Sequence, residues 1–171
     1  MPLQLSGTSG VLDNSGAFIA GTAVASTSGT SITFTSIPSW VKRVTLMFNG
    51  VSSNGSSVPR VQLGAGSTTT SGYVGVNVLL GAVLGNGTLS AGFDVNPGLS
   101  NAGNAFTGTL VFSLITSNTW VGVASLADPF GSTSCLTQGS VSLSGALDRV
   151  VISMINGTDT FDAGSINILY E

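Results

Sequence analysis

Histidine is absent from the sequence, and cysteine, lysine and glutamate occur once each among 171 residues. Without histidine the chain cannot build a Ser-His-Asp or Cys-His nucleophile, and it lacks the commonest metal ligand. The lone Cys135 excludes an intramolecular disulfide and fits a chain made in a reducing cytoplasm. No ordinary amphipathic helix can be drawn, because the Lys and Glu side chains that coat its solvent face are missing.

Charge is equally scarce. The chain has 4 basic and 7 acidic side chains and a net charge of −3. Apart from Lys42 and Arg43 no basic residues cluster, so nucleic acid is not an expected partner. The first seven residues have no basic region and no long apolar core, and no secretory signal is expected there. The apolar stretch 74–84 spans 11 residues, whereas a membrane helix needs about 20. Membrane insertion is therefore not expected.

The residues that are abundant point to β structure. Gly, Ser and Thr supply 69 residues, which suit strand faces and turns and compete with helical hydrogen bonds. Val, Ile, Leu and Phe supply 51 residues, about 30% of the chain and above the ~20% below which a chain stays disordered. The composition predicts one compact all-β domain.

Alternating polar and apolar residues predict individual strands. Ile32 and Phe34 oppose Thr33 and Thr35, and the same period recurs at 43–48, 60–63 and 165–170. The runs 110–115, 119–126 and 150–155 are apolar on both faces and need cover from a second sheet or another subunit. Tight turns are predicted at four Asn-Gly pairs, which begin at Asn49, Asn54, Asn86 and Asn156. Nine to eleven short strands in an antiparallel β-sandwich or jelly roll are expected, with a closed barrel as the alternative.

Residues 1–25 differ from the β-sandwich domain predicted over 26–171. They carry spaced glycines and isolated apolar residues without sustained alternation. This pattern is typical of a flexible leader or of an extended attachment arm that orders on a partner.

Few residues are candidates for chemistry. Asp159 and Asp162 could bind a hard cation or act as a glycosidase pair, but capping of turns is the favoured role. Cys135 lies in a stretch interpreted as a polar loop, and a packed thiol is favoured over a nucleophile. Asp148 and Arg149 are interpreted as a strand-end charge pair. Exposed aromatic residues could stack on sugars, although packing is favoured for both tryptophans; the candidates are Trp40, Tyr73, Trp120 and Tyr170. No catalytic, cofactor-binding or metal-ligating residue is assigned, and no cofactor is expected.

Two long stretches resemble a family of tailed-bacteriophage virion proteins. They are Ile37-Pro38-Ser39-Trp40-Val41-Lys42-Arg43-Val44-Thr45-Leu46-Met47-Phe48-Asn49-Gly50-Val51 and the C-terminal segments 143–150 and 155–171, joined by Ser117-Asn118-Thr119-Trp120. The family includes small stand-alone virion proteins and terminal domains of tail fibres. The resemblance covers about residues 22–171.

The resemblance implies a non-enzymatic virion protein, made in the host cytoplasm. The expected role is a trimeric tail-fibre or appendage subunit that contacts the host. Its expected partners are copies of itself, other virion proteins reached through residues 1–25, and a host-surface glycan. The alternative is a capsid decoration protein, of the cement or head-fibre type, that stabilises the shell. A glycan-binding or glycan-cleaving module ranks behind both.

Overall fold

The computed structural model describes residues 5–6, 10–11, 18–81, 84–95 and 101–171. These residues form sixteen strands, ten of them five residues or longer, and no helix. The strands are β1 (Leu5–Ser6), β2 (Gly10–Val11), β3 (Ile19–Ala20), β4 (Val24–Ala25), β5 (Ser31–Thr35), β6 (Arg43–Ser53), β7 (Pro59–Ala65), β8 (Ser67–Thr68), β9 (Val74–Leu80), β10 (Gly85–Leu89), β11 (Phe93–Asp94), β12 (Phe106–Thr116), β13 (Thr119–Asp128), β14 (Thr133–Ser142), β15 (Arg149–Met154) and β16 (Phe161–Tyr170). Within the described ranges there is accordingly no helix long and apolar enough to cross a membrane.

Two antiparallel sheets carry the fold. The large sheet has the order β10-β9-β14-β13-β12-β6-β16-β3, and β4 also pairs with β16. The small sheet has the order β11-β7-β15-β5, and β8 pairs with β7. Both sheets are open, so the antiparallel β-sandwich expected from the sequence is confirmed and the closed barrel is not formed.

The core lies between the two sheets and is built from every second residue of each strand. The large sheet contributes Val44, Leu46, Leu110, Phe112 and Trp120, among others, and the small sheet contributes Ile32, Phe34, Val61, Leu63, Val150 and Ile152. Phe93 sits edge-on to both Phe112 and Tyr73, with ring centroids 5.0 and 5.6 Å apart. The inward residues predicted for β5, β6 and β7 are confirmed as buried.

Two of the four predicted Asn-Gly turns are wrong. Asn54-Gly55 and Asn156-Gly157 do lie in connections between strands, but Asn49-Gly50 lies within β6 and Asn86-Gly87 within β10. Gly50 has a φ of 61° at an irregularity in the pairing of β6 with β16, so its backbone serves a bulge and not a turn. Gly87 pairs with Asn77, whose side chain approaches so closely that a Cβ on residue 87 would collide with it.

Only part of the predicted N-terminal arm lies within the described residues. Of residues 1–25, the segment 18–25 adds β3 and β4 to the edge of the large sheet along β16. Ser26 is the first residue of the predicted sandwich domain, and its hydroxyl donates a hydrogen bond to the Ala163 carbonyl at 2.7 Å. Apart from β1 and β2, which pair with each other, residues 1–17 lie outside the described residues.

Candidate functional site

Asp159 and Asp162 each link segments that are about a hundred residues apart in the chain. Asp159 Oδ2 accepts a hydrogen bond from the Ser57 backbone N–H at 2.8 Å, and Asp162 Oδ1 accepts one from the Ser52 hydroxyl. Hydrogen bonding, first to Asn156 and then to backbone N–H groups, lowers the pKa of the Asp159 carboxyl. Across the described residues, no group of three or more His, Cys, Asp or Glu side chains is arranged to hold a metal ion. Both aspartates make structural hydrogen bonds, but neither caps its own turn as predicted. Asn156 caps the turn at 156–159, and Asp162 lies within β16 and bonds to β6.

Cys135 is a buried thiol, as predicted, but it lies within β14 and not in a loop. Its sulfur is 3.5 Å from the Thr137 hydroxyl. Burial raises the pKa of the thiol from 9.0 to about 11. The side chain is therefore protonated near neutral pH, which disfavours nucleophilic or metal-binding chemistry.

The four candidate sugar-stacking aromatics do not form a platform. Trp120 is 2% exposed and Tyr73 is 3% exposed, so neither ring face is available to a ligand. Trp40 and Tyr170 are half-buried and pack against the core. Core packing, the favoured prediction for the two tryptophans, is confirmed for Trp120.

Charged side chains gather on the outer face of the small sheet. The Arg60 guanidinium binds Asp94 through two hydrogen bonds, Nε to Oδ1 at 2.6 Å and Nη2 to Oδ2 at 3.2 Å. Asp148 and Arg149 form the predicted strand-end pair, with Arg149 Nε 2.7 Å from Asp148 Oδ1. The Arg149 hydrogen bond lowers the pKa of the Asp148 carboxyl. This side of the sandwich presents locally neutralised ion pairs and polar side chains to solvent.

The outer face of the large sheet has a different composition. Strand register aligns two rows of outward residues across seven strands, and we call these fourteen residues the neutral face. One row is Leu169, Thr45, Val111, Val123, Gln138, Val76 and Thr88; the other is Asn167, Met47, Thr109, Ser125, Leu136, Val78 and Asn86. None of them is charged. At the margin of the neutral face, Arg43 Nη1 lies 3.4 Å from Glu171 Oε2.

Several large apolar side chains on or beside the neutral face are exposed. Val123, at the centre of β13, is 52% exposed, and Val74, at the start of β9, is 70% exposed. Where β9 meets β10, the face opens into a hollow of about 360 Å³ lined by Val78, Leu80, Leu84, Gly85 and Asn86. Exposed apolar side chains that gather on one face mark an interaction site more often than scattered single residues do.

A hairpin tip that the sequence analysis did not single out completes the exposed apolar features. Phe130, between β13 and β14, is 74% exposed. Asp128 fixes this tip, because its buried Oδ1 accepts hydrogen bonds from the N–H groups of Phe130 and Gly131 at 3.0 and 3.1 Å. The Asp128-Pro129 dipeptide predicted a break in the chain, but nothing in the sequence pattern indicated an aromatic residue presented on a rigid turn.

Comparisons of the chain with protein-family models, with curated proteins and with solved structures gave no match.

Proposed function

We propose that this protein is a structural component of a tailed-bacteriophage particle, a tail-fibre or appendage subunit that assembles with copies of itself and contacts the host. The proposal starts from the resemblance of residues 37–51, 143–150 and 155–171 to virion proteins. The structural observation that supports it best is the neutral face of the large sheet, which has no charged side chain and exposes valine residues. A subunit that works inside an assembly can leave such a surface uncharged, because a partner removes it from water.

The arrangement of the remaining charges agrees with this role. Arg60, Asp94, Asp148 and Arg149 pair on the opposite side of the sandwich, which suits a surface that stays solvated in the particle. Asp159, Asp162 and Cys135 all have structural environments. The site chemistry therefore supports a structural role better than catalysis.

Localisation on intact virions tests the proposal. Antibodies against the purified chain, detected by electron microscopy of gold label, are expected to decorate the tail or its appendages. Label confined to the head would replace this function with capsid decoration, the alternative role. Virions without label, from a lysate in which the chain is abundant, would refute both.

A further inference from the structure

We infer that the neutral face is covered by a second copy of this chain. The inference rests on the proposed self-assembling role and specifies which surface mediates it. It starts from the contrast between the two outer faces of the sandwich. Arg60, Asp94, Asp148 and Arg149 lie on the small-sheet side, whereas no residue of the neutral face is charged.

The neutral face and the uncharged rows on either side of it together have the size of a stable interface. Seven strands, from β10 to β16, are separated by six spacings of about 4.8 Å, and the paired segments run for about seven residues of about 3.4 Å each. The flat footprint is therefore about 700 Å², before the relief of the side chains is counted. Stable protein interfaces bury about 800 Å² on each partner. The neutral face takes up about half of this footprint. Two uncharged rows beside it supply the rest, Ser113, Val121, Ser140 and Val74 on one side and Thr107, Ala127, Ser134 and Leu80 on the other.

The chemistry of the neutral face selects the occupant. A charged partner would have to give up hydration with no opposite charge on the face to replace it. A second copy presents the same apolar, hydroxyl and amide side chains, so packing it there leaves no charge unpaired. The two faces can also approach as packed sheets do, at about 10 Å, because the outward residues of β12 and β13 are valine, threonine and serine.

Val123 allows a direct test with a matched control. It lies in the middle of the neutral face, whereas Thr33 is an equally outward residue in β5, on the outer face of the small sheet. Val123→Lys and Thr33→Lys add the same charge to an exposed strand position. Sedimentation velocity and light scattering at micromolar protein should show an oligomer for the wild type and for Thr33→Lys. Val123→Lys should raise the dissociation constant at least about 100-fold, because each interface would bury an unpaired ammonium group.

A second pair of variants keeps the test decisive if Val123→Lys does not fold. The native thiol of Cys135 is buried, so Val123→Cys and Thr33→Cys each add one reactive position. Above the dissociation constant, Val123→Cys should react with a polyethylene-glycol maleimide at least about tenfold more slowly than Thr33→Cys. Dilution to the monomer should abolish the difference.

The remaining outcomes separate the inference from the proposed function. An oligomer that survives Val123→Lys, with the Val123→Cys thiol fully reactive, would overturn the inference, while tail label on virions would still support the function. A protected Val123→Cys thiol in a monomer would also overturn it, because the cover would then come from the chain's own N-terminal residues. Loss of virion label with an intact oligomer would refute the function and leave the interface standing.

Discussion

Removing the Tyr73 hydroxyl should lower the free energy of unfolding by about 1–3 kcal/mol. The hydroxyl accepts a hydrogen bond from the Leu63 N–H at 2.9 Å and donates one to the Thr69 carbonyl at 3.0 Å. The pairing of β7 with β11 ends at Val61, so no strand of that sheet accepts from the Leu63 N–H, and the Tyr73 hydroxyl does so instead. In Tyr73→Phe the ring can keep its edge contact with Phe93, but the Leu63 N–H is left buried without an acceptor. The cost of that unsatisfied donor is the reason for the expected decrease of about 1–3 kcal/mol in the free energy of unfolding.

Urea unfolding followed by tryptophan fluorescence measures this change, because the buried Trp120 reports directly on the core. At fixed protein concentration the midpoint should fall with no change in slope. In a thermal scan, a loss of about 2 kcal/mol corresponds to about 4–8 °C for a domain of this size. Tyr170→Phe is the matched control: its hydroxyl has no hydrogen-bond partner among the described residues, and its expected effect is below about 0.5 kcal/mol. Equal, small effects of the two variants would refute the reasoning.

Three further predictions concern other parts of the sandwich. Burial raises the pKa of Cys135 from 9.0 to about 11, so the folded state keeps the thiol proton to higher pH than the unfolded state does. The contribution of this thiol to the free energy of unfolding is therefore complete below pH 9 and is lost between pH 9 and 11. In Cys135→Ala, the free energy of unfolding should fall less steeply across that pH range. Gly108 has a φ of 149°, and a Cβ at this position would collide with the backbone of β13. Gly108→Ala should therefore lower the free energy of unfolding, measured by urea denaturation, by about 2 kcal/mol. Gly145→Ala is the control and should change it little, because a Cβ there has ordinary room. Arg60→Ala should lower the free energy of unfolding by about 1–2 kcal/mol, because it removes both hydrogen bonds of the partly buried ion pair with Asp94. A decrease below about 0.3 kcal/mol at low salt would show that this ion pair is no stronger than an exposed one.

The inward residues could be predicted from the sequence because the period of a strand is a local property. Ile32 and Phe34, or Val44 and Leu46, alternate with polar residues, and any sheet that buries one side of the strand must bury these. The same argument predicted the all-β class, since a chain with so few charged side chains has no means of coating helices.

The wrong turns show where local reasoning stops. An Asn-Gly pair allows a positive φ but does not require one, and Gly87 within β10 has none. At Gly50 the φ is positive, but a bulge satisfies that condition as well as a tight turn does. At Gly50 the choice depends on β16, more than a hundred residues away, where Gly164 has a φ of 90° beside the Gly50 carbonyl. Cys135 was misplaced for a related reason: its neighbours are small and polar, yet pairing with β13 and β9 makes them a central strand.

The neutral face could not be predicted from the sequence, because it depends on the pairing register between strands that are distant in the chain. The runs 110–115, 119–126 and 150–155 were all predicted to need cover on both sides, yet the structure separates them. β12 and β13 bring Val111 and Val123 together on the large sheet, whereas β15 places Val151 between Gln62 and Thr33 on the small sheet. Polar neighbours there leave Val151 as an isolated apolar residue, which needs no partner. The apolar surplus of the sequence thus becomes an interaction surface only where strands distant in the chain are aligned, and we expect the second copy on that side of the sandwich alone.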